Sequence, residues 1–224
     1  MQVSAPPSGS SSLGPGGSDP INLDYGVMNV GIVEPFNPIL CTSTAAAQSS
    51  GDVVLTCFTQ PFAFTTASTA TFALWSGSAG ATTLTLARVG LYLMDASFNL
   101  LGPLIVSGQI SATIPTVANT AFTTSAVTTD YLAKGYTFPT QLSLLKNSRY
   151  ALAMINVGTT PTTLKGVGNS TGFTAQVMNA SLRKIAPKVT GQTDLPSGAT
   201  YGAQAIAAAS LANCSGGQFY FQIT

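Results

Sequence analysis

From Asp52 to the C-terminus, hydrophobic and polar positions either alternate with a period of two or form short apolar runs, and turn-forming residues soon interrupt both. The clearest alternation is Arg88-Val89-Gly90-Leu91-Tyr92-Leu93-Met94, in which Val89, Leu91 and Leu93 share one face of a strand. Asp95-Ala96-Ser97-Phe98-Asn99 follows, and Asp, Ser and Asn make local side-chain turns, so a hairpin is expected before Leu100 restarts an apolar run. The segment from Arg149 to Val157 is apolar on both faces, which predicts a strand in the middle of a sheet, stopped by Gly158-Thr159-Thr160-Pro161. At the C-terminus Phe219, Phe221 and Ile223 alternate with Gln218, Tyr220 and Gln222, predicting a strand that ties the chain end into the sheet. With the other runs rich in β-branched residues, strands are predicted at 53–59, 62–65, 70–75, 82–94, 101–107, 120–127, 136–138, 141–145, 149–157, 162–165 and 217–223. Only 202–213, with its run Ala205-Ile206-Ala207-Ala208-Ala209, reads as helix-like. So many short strands at near-regular spacing predict an all-β, jelly-roll-like β-sandwich.

The first twenty residues break the pattern. MQVSAPPSGSSSLGPGGSD is Ser, Gly and Pro with almost nothing to bury, so 1–20 is expected to be an extended low-complexity arm, either a plain tail or a segment that docks on a neighbour. The remaining 21–224 is expected to be a single β-sandwich domain. Met1 to Gly17 holds neither a base nor an apolar core, so it does not read as a secretory signal. No run approaches the roughly 18 apolar residues that cross a bilayer as a helix, and membrane insertion is not expected.

Charge changes the functional picture. Only 7% of residues are charged, against about 25% in an ordinary soluble domain, so the surface must be built of Thr, Ser, Asn, Gly and exposed apolar groups. Such a surface lacks the repulsion that keeps monomers apart and suits a subunit in contact with neighbours. Acids Asp19, Asp24, Glu34 and Asp52 occupy the first part of the chain without a base, whereas all eight bases lie from Arg88 onward. The bases are scattered apart from Arg183-Lys184, so nucleic acid is not an expected partner.

The sequence contains no histidine. Ser-His-Asp and Cys-His arrangements and imidazole metal ligands are therefore excluded, and the seven acids stand well apart with no calcium-loop spacing. No catalytic residue, cofactor or metal set is expected. Cys41, Cys57 and Cys214 form no C-x-x-C pair, so reduced thiols are expected, with a Cys41–Cys57 bridge as the alternative and Cys57 read as a small buried hydrophobe. The Asn-x-Ser/Thr matches at Asn169, Asn179 and Asn213 carry little weight without a signal peptide. The candidate ligand or receptor contacts are aromatic. Trp75, the single tryptophan, follows Phe72-Ala73-Leu74, which favours a core or interface place, while Tyr131 and Tyr136 flank the loop Leu132-Ala133-Lys134-Gly135.

Three segments carry a resemblance. LARVGLYLMDASFNLL at 86–101 resembles a strand and hairpin of the form R-x-G-L-Y-x-x-D-x-x-G-N-L; SRYALAMINVGTTPTTLKG at 148–166 resembles G-x-R-Y-A-x-A-x-x-x-V-G-x-T-x-P-T-x-x-G; and PKVTGQTDLP at 187–196 resembles P-x-x-x-G-Q-T-D-L-P. These patterns are similar to those of minor tail and tail-fibre-associated proteins of tailed bacteriophages, especially phages of actinobacteria. Ser97-Phe98-Asn99 departs from the pattern, which has Gly before Asn. The resemblance spans about 84–224 and implies a virion structural protein with a jelly-roll-like sandwich, oligomeric at the tail tip or fibre, in contact with the host surface, without catalytic residues.

The expected function is therefore a virion subunit, assembled in the host bacterial cytoplasm, whose partners are itself as a homo-oligomer, most simply a trimer, other phage virion proteins and a host cell-surface glycan. Two alternatives share the composition. One is a capsid decoration or head-fibre protein anchored by 1–20, and the other is a carbohydrate-binding adhesion module using Tyr131, Tyr136 or Trp75 as stacking platforms.

Overall fold

The computed structural model describes residues 32–36, 41, 43–45, 49–77, 83–128, 137–159, 163–167, 187–213 and 217–224. Fifteen strands occur among them. The long ones are β2 (Asp52–Thr59), β4 (Thr71–Trp75), β5 (Leu84–Met94), β6 (Leu100–Ser107), β7 (Ala121–Val127) and β9 (Arg149–Gly158). Short ones complete the set: β1 (Ser43–Ala45), β3 (Phe64–Thr65), β8 (Ser143–Leu144), β10 (Leu164–Val167), β11 (Pro187–Val189), β12 (Gln204–Ile206), β13 (Ala212–Asn213), β14 (Gln218–Phe219) and β15 (Phe221–Ile223).

The main sheet runs β13-β11-β2-β9-β5-β6, with β12 also on β6, and continues through a short β6–β7 pairing into a second layer, β7-β4-β15. All these pairs are antiparallel. Between the layers lies the first core, where Val54, Val89, Leu91, Leu152 and Met154 of the main sheet meet Phe72, Leu74, Phe122, Phe221 and Ile223 of the second. The protein is thus an all-β sandwich. Its chain crosses between layers repeatedly, which pairs β4 with β7 in one layer and β5 with β9 in the other.

The central place of β9, between β2 and β5, follows from its two apolar faces. Tyr150, Leu152 and Met154 enter the first core, while Ala151, Ala153 and Ile155 enter a second cluster on the far side of the main sheet. That far side is covered by the chain from β11 onward, whose Val189, Leu195 and Leu211 pack against Val53, Leu55, Tyr92, Leu100 and Val106. Gly158 closes β9 at φ 153°, a conformation side chains rarely adopt, and a Cβ there would collide with the backbone carbonyl of Thr83.

Two expectations are corrected. The segment 202–213 is not helical: it forms β12, a single 3-10 turn at Ala208–Ser210, and β13. Gln204 and Ile206 pair with Leu101 and Leu100, and Ala208 N–H donates to Asn99 Oδ1 at 2.8 Å, so an open sheet edge and a tertiary acceptor outcompete a helix too short to be stable alone. The strand predicted at 136–138 is absent at 137 and 138. Phe138, beside Pro139, is only 2% exposed and fills the second cluster without pairing. The predicted strands at 62–65 and 141–145 contract to the short pair β3–β8.

Cys57 is half-buried at the margin of the second cluster rather than in its centre, and Cys41 and Cys57 are both thiols with no bridge between them. Cys214, Arg183-Lys184 and residues 1–20 lie outside the described residues. The separation of charge along the chain is partly cancelled within it, since Lys188 Nζ reaches Asp52 Oδ2 at 3.0 Å.

Candidate functional site

Two groups of side chains stand out from the apolar framework. The first lies on the covered face of β5. Arg88, Gly90 and Tyr92 alternate along that face and meet Asp194, Leu195 and Pro196 in order. Arg88 Nε lies 3.4 Å from Asp194 Oδ1, with both side chains under a tenth exposed. A Cβ on Gly90 would stand 2.8 Å from Leu195 Cδ1, so only glycine leaves this leucine its seat. Tyr92 Oη donates to the Pro196 carbonyl at 2.8 Å. Two further bonds hold the pair: Arg88 Nη1 donates to the Ser107 carbonyl, and Leu195 N–H donates to Asp194 Oδ1. We call this row of contacts the latch.

The hairpin beyond it is built on Asp95. Its carboxylate accepts from Ser97 N–H, Asn99 N–H and Asn99 Nδ2, and these hydrogen bonds, the Asn99 side chain first, lower its pKa. Phe98 takes φ 64°, a left-handed conformation that glycine adopts without strain and other side chains rarely do. The Arg149 guanidinium lies 4.5 Å from the centre of the Phe98 ring and donates to the Ala96 carbonyl. The strand that begins with Arg149 therefore also supports the hairpin.

The second group is on the outer face of the β7-β4-β15 layer. Phe72 and Leu74 point into the core, so Trp75 points outward and is half-buried. Its ring lies 5.2 Å from that of Tyr220, and Phe36 lies 5.8 Å from the same ring. Tyr220, expected on the outer face with two glutamines, is only 4% exposed because these neighbours cover it. Its hydroxyl donates to Glu34 Oε1 at 2.7 Å, and Gln222 Nε2 donates to Glu34 Oε1 at 2.6 Å and to the Tyr220 hydroxyl at 2.8 Å. Burial first, and then the bond to Glu34, push the Tyr220 phenol well above its ordinary pKa, so it remains a donor. Glu34 is held there because Val33 exchanges two backbone hydrogen bonds with Ile223, bringing segment 32–36 along the edge of β15. Nearby, burial pushes the Cys41 thiol up, which makes it a poor nucleophile.

Of the aromatic candidates, Trp75 is thus placed on a built surface, and Tyr131 and Tyr136 lie outside the described residues. Glu34, Phe36, Tyr220 and Gln222 were not singled out from the sequence. Two signals were present: Glu34 is the sole charge between Asp24 and Asp52, and Tyr220 is the one aromatic on a face otherwise occupied by glutamine. Among the described residues, no three Cys, Asp or Glu side chains converge as a metal site would require. No protein-family model and no curated protein matches the chain.

Proposed function

We propose that this chain is a bacteriophage virion structural protein, an oligomeric, non-catalytic minor tail subunit of the tail tip or fibre that contributes to host-surface attachment. Its sandwich is assigned jelly-roll type, and its place is the assembled virion, built in the host bacterial cytoplasm. The observation that carries the reading is the adjacency of the three segments on which the resemblance rests. Arg88, Gly90 and Tyr92 of the first pack on Asp194, Leu195 and Pro196 of the third, and Arg149 of the second holds the hairpin of the first. A scaffold shared with those tail proteins would hold the three segments together in this way. Sparse charge supports the same reading, because a subunit enclosed by neighbours needs little repulsion at its surface.

The test is immunogold electron microscopy of purified phage particles with an antibody against this chain. Label at the tail tip or fibres is expected. Label confined to the capsid would replace the tail assignment with a decoration role, and absence of the chain from particles would end the virion reading.

A further inference from the structure

We propose that the turn at 145–149 is an assembly contact that receives the acidic segment Asp19-Pro20-Ile21-Asn22-Leu23-Asp24 of a second copy of this chain. The inference rests on the oligomeric reading above and names one contact that joins the copies. Leu145 follows the buried Leu144 of β8, yet it is 68% exposed, more than any other large hydrophobic side chain among the described residues. Lys146 beside it is exposed, and Arg149 stands three residues on, held against the Phe98 ring and the Ala96 carbonyl.

The turn is a fixed platform. Asn147 takes φ 61° and its N–H donates to the Gln60 carbonyl at 2.7 Å, while Leu145 N–H donates to the Tyr150 hydroxyl at 2.8 Å. A partner therefore meets an ordered apolar group flanked by two positive charges, and little ordering entropy opposes binding on this side.

Charge identifies the partner, because the chain has so few carboxylates. Of its seven acids, four are described, and each is engaged: Asp194 with Arg88, Asp52 with Lys188, Glu34 with Tyr220 and Gln222, and Asp95 with Ser97 and Asn99. None of the four lies within ion-pair distance of Lys146 or Arg149. Of the other three, Asp130 has Lys134 four positions away, whereas Asp19 and Asp24 stand in a stretch with no base before Arg88. Ile21 and Leu23 lie between them, so the segment offers two carboxylates for Lys146 and Arg149 and two apolar side chains for Leu145.

The segment is also long enough to reach beyond its own subunit. The chain joins the described structure at Ile32, beside the edge of β15, where Val33 pairs with Ile223. Asp24 and Asp19 stand eight and thirteen residues before that point, a reach of up to about 26 and 43 Å at full extension, against a radius of gyration of roughly 17 Å for a chain of this length. An acidic arm and a basic turn at separate places on one chain are the two halves of a heterologous contact, which joins one copy to the next and closes into a ring when the rotation allows.

The test is zero-length cross-linking with a carbodiimide, which joins a lysine amine to a carboxylate only where the two touch. The full chain labelled with nitrogen-15 is mixed with unlabelled chain in dilute solution, concentrated, cross-linked and digested for mass spectrometry. The expected product joins Lys146 to Asp19 or Asp24, with one labelled and one unlabelled peptide as often as two alike. Lys146→Glu should weaken the oligomer about fivefold or more with melting unchanged, and Asp24→Lys in the same chain should recover part of that loss. Cross-linked pairs of like label only would show the segment docked on its own subunit, and cross-links from Asp19 and Asp24 to Lys184 alone would place it elsewhere. Either result overturns the proposal, as does a Lys146→Glu oligomer as tight as the unsubstituted one. An oligomer without the cross-link removes this contact and leaves the oligomeric reading standing, whereas a chain monomeric at micromolar concentration removes both.

Discussion

At the scale of single residues, the latch between Arg88 and Asp194 has the largest consequence for stability. Both charges are buried, so removing one strands the other in a low dielectric, at a cost of about 3–5 kcal/mol. Arg88→Met and Asp194→Leu should each lower the urea midpoint sharply, whereas the double variant should recover much of the loss because no lone charge remains. A double variant as unstable as the sum of the singles would show that the pair does not act as a unit. Phe98 offers a second test. It occupies a left-handed conformation costing roughly 1–2 kcal/mol and is compensated by the Arg149 guanidinium over its ring. Phe98→Ala keeps the strain and loses the contact, while Phe98→Gly loses both, so thermal melting should rank Ala below Gly. Tyr220 gives a pH signature. Its folded pKa lies above the ordinary value of 10.0, so its stabilising contribution is complete below that value and is lost as pH rises through and beyond it. Alkaline unfolding should be less steep in Tyr220→Phe.

At the scale of elements, the pattern of apolar positions located the strands because burial on one face or two leaves a direct mark in the sequence. β9 is the strongest case: apolar on both faces, it pairs on both edges, and its Tyr150 to Asn156 are buried throughout. Hydrogen exchange should therefore be slowest at the amides that β9 shares with β5 and β2, requiring global unfolding, and much faster in β12 and β13, which are short and peripheral. Protection in β12 equal to that in β9 would contradict this order. The missed strands β1, β11, β12 and β13 have two or three residues each, too few for any period to show. The alanine run at 205–209 was misread for a related reason: alanine favours helix intrinsically, but a short helix cannot offset its nucleation cost when β6 offers an edge.

For the whole molecule, the low charge and the proposed virion role predict self-association. Light scattering coupled to gel filtration should find a trimer at micromolar concentration, with each contact burying more than roughly 1,000 Å². A strictly monomeric chain would argue against an obligate oligomer. Deleting residues 1–20 should leave the melting temperature unchanged if the core of the sandwich lies elsewhere, and incorporation into particles would then show whether the arm anchors the subunit.

The sequence by itself determined the all-β class, the central strand, the hairpin at Asp95 and the exclusion of histidine chemistry, since each depends on residue type and near neighbours. Only the tertiary structure decided that Arg88 meets Asp194, that Tyr92 meets Pro196, and that Trp75, Tyr220 and Glu34 share one face. The partners in these contacts are separated by roughly a hundred residues or more, and no local pattern encodes them. They arise because each strand must bury its apolar face, and the order in which the strands pair then fixes which polar side chains meet.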